Sequence, residues 1–352
     1  MINQYLSDKL RILSFFSIIL VLYIHSGFHD YPHEIQGMTF NFKLQDFISG
    51  MMGRCAVPLF FAISGYLFFQ GIDKDDTHAY AKLWMKIRKR IRTLLIPYLI
   101  ACLFPAISYL ALEYIPGVGG FMNTKGFSEN FEKPLLELGN FLFWDAGNGS
   151  PYAFHLWFLR DLILIVVLSP LFYVMNKWMG KAIVCGLFFV LSYFSIPVLP
   201  IYGIFWFLLG ACFLDKFSGI KSFGVPIVFL LFCVLEMIFP VFIWEYLQIP
   251  IILSGILSFW TLYDKLVPAT FDLGRHKHWM TFCSFTFFIY LYHEPTLNVV
   301  RKLLVVPFPH SSFGFAFSYL ASPWLFALIW VGVGIVFKRH FPRIYEICMG
   351  GR

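Results

Sequence analysis

The sequence predicts an all-α integral membrane protein of about ten transmembrane helices, with its N- and C-termini on the cytoplasmic side. Charged residues make up only 13% of the 352 residues and hydrophobic ones 59%. A soluble domain carries about 25% charged residues. A water-facing surface with half that charge would expose large apolar patches, so most of the surface must face lipid. The stretches 12–24, 162–175 and 226–238 are almost uninterrupted apolar runs, and a spanning helix needs about 20 mostly apolar residues. Forty-four phenylalanines and ten tryptophans suit lipid contact and interfacial belts.

The first apolar run follows Lys9 and Arg11, and no small-residue cleavage site comes after it. It therefore reads as a permanent helix and not as a cleaved signal peptide. The apolar pattern places helices near 10–27, 48–70, 92–114, 153–175, 181–197, 200–214, 223–241, 248–263, 281–297 and 318–337. Pro197 and Pro200 join the fifth and sixth in a tight hairpin. Without internal repeats or low-complexity tracts, residues 1–352 read as one domain. The seven cysteines are scattered with no CxxC, six in apolar spans and one in the tail. That argues against a disulfide framework and against a zinc site, and no metal is expected.

Charge sets the orientation. With a cytoplasmic N-terminus, twenty lysines and arginines fall on the inner side, seven of them in 71–92. The outer side holds five: Lys43, Lys125, Lys133, Arg301 and Lys302. This asymmetry also accounts for the net charge of +7 without a nucleic-acid partner. The longest outer loop, about 116–152, is rich in Gly, Asn and Asp. Loops of that length are usually functional, and this one suits a lid over a polar ligand or a solvated connector.

An ionisable side chain within a span costs at least a few kcal/mol, which makes it a site candidate. The candidates are His25, Arg54, His155, Arg160, Asp161, Glu236, His293 and Glu294. The predicted topology places all of them in the outer half of the bilayer, where one polar, outward-facing site fits better than scattered pairs. Arg160 and Asp161 are adjacent, so they point to different helix faces and are expected to pair with other helices. Glu236 also fits a protonated hydrogen-bonding role inside the bundle, and His155 an interfacial one. His25 ends an apolar run before Ser26-Gly27, and histidine is the usual general base near neutral pH. On the inner side, Lys82, Lys86, Lys89 and Arg90 recur at helical spacing, with Arg88 and Arg92 on a neighbouring stripe. Such a cluster anchors a helix at anionic lipid or clamps the phosphates of a cytosolic ligand.

Several stretches resemble the membrane acyltransferase-3 family in order along the chain. They are the first helix ending Tyr23-Ile-His25-Ser26, the segment from Arg54 through Pro58 and Ser64-Gly65-Tyr66, and the basic entry Arg88-Lys-Arg90-Ile-Arg92 before Pro97-Tyr98. His155-Leu-Trp157-Phe158-Leu-Arg160-Asp161, Phe205-Trp-Phe207 and Tyr290-Leu-Tyr-His293-Glu294-Pro295 follow. Many members place an arginine eleven residues before the first-helix histidine; this chain has Ser14 there and Arg11 one turn deeper. The resemblance implies a bacterial inner-membrane enzyme that acylates a hydroxyl of a surface polysaccharide or glycolipid, with acyl-CoA, acetyl-CoA most simply, as donor. It implies that His25 is catalytic, with Glu294 orienting it or the acceptor. Arg54, His155, Trp157, Arg160, Asp161 and His293 would hold acceptor or oxyanion. Lys86, Arg88, Arg90 and Arg92 would hold the donor phosphates, its pantetheine arm passing Ser64 and Gly65. A transporter or flippase of a lipid-linked sugar is the alternative. Such proteins commonly show internal repeats and helices broken near the midplane, and this sequence shows no repeat.

Overall fold

Membrane hydrocarbon offers no partner for a backbone N–H or C=O, so a spanning chain must satisfy its backbone within helices or a closed barrel, and long apolar runs favour helices. The structure, a computed structural model, describes residues 3–28, 40–73, 76–116, 126–194, 199–217, 219–308 and 311–351. Among them it contains helices and no strand. Helix α1 (Gln4–His25) starts on Asn3, whose side chain accepts the Leu6 N–H. Helix α2 (Phe40–Gln45) continues through a π-helical turn (Asp46–Met52) and a 3-10 turn (Gly53–Cys55) into α3 (Ala56–Phe69). Helix α4 (Ala79–Glu113) takes in the whole basic stretch, so residues expected in a loop before the third span are helical instead. The expected outer loop contains a 3-10 turn (Phe127–Glu132) and helix α5 (Leu135–Phe143).

Helices α6 (Trp157–Met179), α7 (Lys181–Leu191), α8 (Ile201–Phe213), α9 (Gly224–Ile238) and α10 (Pro240–Leu266) follow. The ninth expected span is broken into α11 (Lys277–Ser284), α12 (Thr286–Tyr292) and α13 (Thr296–Val305). Helices α14 (Ser312–His340) and α15 (Pro342–Cys348) end the chain. Among the described residues, five helical stretches are long and apolar enough to cross a membrane: Asn41–Phe69, Ala79–Glu113, Phe154–Met179, Leu247–Leu266 and Ser312–His340. Helix α1 has 22 residues but opens with Asp8, Lys9 and Arg11. Helices α7, α8 and α9 have 11, 13 and 15 residues. At about 1.5 Å per residue each falls short of a hydrocarbon core about 30 Å thick. Helix length therefore supports five of the ten expected crossings. Lys74, Pro197 and residues 117–125 of the expected outer loop lie outside the described residues.

Two features hold the bundle together. Helices α3 and α8 touch backbone to backbone: a Cβ on Gly65 would sit 1.9 Å from the Phe207 carbonyl oxygen, and one on Gly210 would sit 1.9 Å from that of Ala62. In lipid, where apolar burial drives helix association little, such small-residue seams supply the packing. The second feature is a buried ion pair between Lys9 Nζ and Asp264 Oδ2 at 2.7 Å, with side chains 1% and 2% exposed. Asp264 also accepts the Tyr5 hydroxyl (2.9 Å) and the Gly219 N–H (3.1 Å), and Lys9 lies 3.8 Å from the centroid of the Trp260 ring. Lys9, read from the sequence as a flanking positive charge, is thus a core residue.

Removing one partner of a buried pair leaves an uncompensated charge and costs about 3–5 kcal/mol. Asp264→Ala should therefore lower the thermal unfolding midpoint of the detergent-solubilised protein sharply. The Lys9→Met, Asp264→Leu double variant should recover most of that loss.

Candidate functional site

Pro295 has no N–H, so the helix that reaches Tyr292 cannot continue through it. The carbonyls near the break find other donors. Thr296 Oγ1 donates to the carbonyls of Tyr292 and His293, both at 3.0 Å, and the Leu297 N–H donates to His293 at 2.7 Å. The Tyr290 carbonyl pairs with Nδ1 of His293 at 2.8 Å, and the Leu291 carbonyl pairs with Nε2 of His155 at 3.3 Å. A carbonyl oxygen only accepts, so each of these ring nitrogens carries the proton and the opposite one keeps its lone pair. Those opposite nitrogens, Nε2 of His293 and Nδ1 of His155, are buried and have no hydrogen-bond partner among the described residues.

His25 completes a cluster of three. It occupies the last turn of α1, with its ring centroid 5.1 Å from that of His293, which lies 4.6 Å from that of His155. Phe154 covers the cluster, its ring edge-on to His25 at 5.3 Å. Each histidine stands at a helix end: the C-terminus of α1, the 3-10 turn Phe154–Leu156 before α6, and the break before α13. Among the described residues, no three His, Cys, Asp or Glu side chains could hold a metal ion.

The structure places the other candidates around this cluster in different ways. Glu294 is buried at the break, with Arg301 of α13 within electrostatic reach. Arg301, counted from the sequence as an outer-loop charge, is buried as well. It donates to the Gly27 carbonyl and to Asn298 Oδ1 (2.8 Å), which pins the end of α1 just beyond His25. Arg54 pairs with Glu236 of α9 at 2.5 Å. Arg160 and Asp161 pair with each other: Nε and Nη2 both donate to Asp161 Oδ1, at 3.0 and 2.9 Å. The long arginine side chain swings back over its neighbour, which overturns the expectation that they pair with other helices. Arg160 Nη1 also donates to the carbonyls of Trp144 (2.6 Å) and Gly149 (2.9 Å), so it anchors the segment 144–149. Trp157 packs on α3 through Phe61, ring centroids 6.4 Å apart. The histidines are thus brought together, while Arg54 and Arg160 engage partners of their own.

A cavity of about 730 Å³ approaches the cluster from the opposite end of the bundle. Arg11, Lys89 and Arg90 line its basic end, Ser14 and Ser64 its middle, and Phe158, Leu159 and Tyr290 its far end. Tyr290 is the common wall. Its hydroxyl donates to the His155 carbonyl (3.2 Å), and its ring centroid is 6.3 Å from that of His293. The sequence marked Tyr290 only as the first residue of the family-like stretch that ends at Pro295, with no role attached. Lys86 also lines the cavity, but its ammonium caps α3 by donating to the carbonyls of Phe68 (2.7 Å) and Gln70 (2.6 Å). Gly65 faces α8, and Arg88 and Arg92 line a neighbouring groove.

A family model described as an acyltransferase domain matches residues 8–338. The chain belongs to the acyltransferase-3 family. It is similar to a succinoglycan biosynthesis protein, ExoH, of Rhizobium meliloti, with 25% identity over 382 aligned positions covering 98% of this chain and 92% of the relative. No solved structure matches the chain. This acyltransferase-3 chain is a multi-pass membrane protein, and the family match takes in the histidine cluster and every lining residue of the cavity except Gly351.

In the segment 144–149, the backbone N–H groups of Gly147 and Gly149 donate to Asp145, both at 2.8 Å, and hold its carboxyl below the usual range. That contribution to loop order should persist through mildly acid pH and be lost only as pH falls through the lowered value. Arg160→Gln removes the donors that tie residues 144–149 to α6. Limited proteolysis in the 144–150 segment should then accelerate severalfold while the rest of the bundle stays resistant.

Proposed function

We propose that this protein is an O-acyltransferase of the bacterial cytoplasmic membrane. It would transfer an acyl group, acetyl most simply, from cytosolic acyl-CoA to a hydroxyl of an extracytoplasmic glycan or glycolipid. The observation that carries this reading is the cavity with a basic end and a far wall, Tyr290, that is shared with the histidine cluster. CoA is polyanionic and cytosolic, and a surface glycan lies outside, so an enzyme joining them must bridge the bilayer. Ten crossings with both termini cytoplasmic give that geometry, and the lysine and arginine asymmetry supports it. A relative named for succinoglycan biosynthesis supports a polysaccharide acceptor.

In this reading His25 removes the proton from the acceptor hydroxyl as the oxygen attacks the thioester carbonyl. The carbon–sulfur bond then breaks, and the proton passes to the departing thiolate. His293 and His155 each retain one unprotonated ring nitrogen. That suits hydrogen bonding to a protonated His25 or to an acceptor hydroxyl. In this reading Glu294, buried with Arg301 in electrostatic reach, orients His25 or the acceptor.

A positioned general base contributes typically 10²–10⁴-fold. His25→Gln keeps hydrogen bonding but not titration, so CoA thiol release by the purified protein should fall by about that factor. Cell-surface glycan acylation, read by mass spectrometry, should disappear at an unchanged membrane level of the protein. Near-normal transfer in this variant would remove His25 from the chemistry. CoA release also separates this reading from a flippase, which would release none.

A further inference from the structure

A second cavity, of about 850 Å³, lies between α4 and the C-terminal helix α15. Arg88, Lys89, Arg92 and Arg343 line it against a single acid, Glu346. It adjoins the first cavity: Lys89, Thr93 and Gly351 line both. Both are mostly apolar in lining, but the second brings three guanidinium groups together, those of Arg88, Arg92 and Arg343. Their juncture lies beside Arg90, at the basic end of the path that leads to Tyr290.

The tail that supplies Arg343 is firmly docked. Tyr345 is buried against Phe285, Phe288 and Phe337, with ring centroids 6.2, 6.0 and 5.7 Å away. Met349 is buried too. Gly350 has φ +66°, and a Cβ there would sit 2.5 Å from the Thr93 carbonyl oxygen. Only glycine lets the final turn lie on α4 at the point where the two cavities meet. Residues 342–351 lie beyond the family match, which ends at residue 338.

We propose that α15 completes the donor site: Arg343, with Arg88 and Arg92, holds the 3′-phosphate and diphosphate of CoA in the α4–α15 groove, while the pantetheine arm passes Lys89, Thr93 and Gly351 into the adjoining cavity. This rests on the acyl-CoA reading of the donor. Guanidinium forks match phosphate oxygens, and charge-assisted bonds to them are the strong ones. A lipid headgroup phosphate offers the same chemistry at the groove, but it would make no use of the junction with the inner cavity.

The test is equilibrium binding of CoA and of pantetheine to the full-length protein in phosphatidylcholine nanodiscs, repeated with phosphatidylglycerol present. Hydrogen bonds to charged groups contribute about 1.5–3 kcal/mol each. Arg343→Gln should thus weaken CoA binding roughly tenfold to a hundredfold and leave pantetheine binding nearly unchanged. Gly350→Val, which displaces the tail without removing a charge, should weaken CoA binding in the same direction. Unchanged CoA affinity in Arg343→Gln beside a loss in Arg90→Gln would overturn the role of α15 and leave the donor reading standing. Loss of co-purifying phosphatidylglycerol with unchanged CoA affinity would assign the groove to a lipid headgroup and overturn it equally. Failure of the unaltered protein to bind CoA in either lipid would overturn the donor reading itself.

Discussion

Pro295 leaves the Leu291 carbonyl without a backbone N–H four residues on, and the proton of His155 takes its place. The Tyr290 carbonyl, at the last turn before the break, accepts from Nδ1 of His293. In hydrocarbon, a broken helix persists only where protein or a cavity satisfies the freed backbone. Here two imidazole rings do so, and the same bonds fix which nitrogen of each ring is protonated. The site's chemistry and the repair of the broken helix are therefore one arrangement. His25 joins it because α1 ends at the same level, where Arg301 holds the Gly27 carbonyl.

The remaining architecture keeps two ends of the bundle in register with each other. At the basic end, Lys9 and Asp264 tie α1 to α10, and Lys86 caps α3 from α4. The α3–α8 seam, made possible by Gly65 and Gly210, sets the wall of the bundle from which Phe60, Ser64 and Leu67 face the cavity. Arg11 and Ser14, the two residues at which this chain departs from the common family spacing, both line the cavity, one turn apart on α1. Eleven residues of helix, about 16 Å at 1.5 Å per residue, separate Ser14 from His25. The two ends meet at Tyr290.

The all-helical character was legible in the apolar runs, though not the break in the ninth expected span, and the three histidines stood out as ionisable residues within apolar runs. Partnerships were not, because they depend on which helices adjoin. Arg54 and Glu236 both stood out, but nothing linear joins positions on α3's approach and α9. Arg160 and Asp161 defeated a rule based on helix faces because a flexible arginine is long enough to fold back on its neighbour. Arg301 looked like a loop charge because the span was drawn as ending near residue 297. The helical spacing of Leu297, Val300, Arg301 and Leu304 after Pro295 was the available signal. Gly65 read as a small residue beside a channel, whereas a helix seam uses the same residue for the same lack of bulk. Arg343 was invisible as a site residue because its groove exists only once α15 folds onto α4.

The most direct measurement is acyl transfer across a sealed membrane. The purified protein is reconstituted in proteoliposomes with acetyl-CoA on the face that carries the basic end and a polysaccharide acceptor only on the opposite face. Acylated acceptor on the far side, with free CoA appearing on the near side, is the result expected of a donor cavity that meets the histidine cluster at Tyr290. Transfer that occurs only when donor and acceptor share the same face would contradict it.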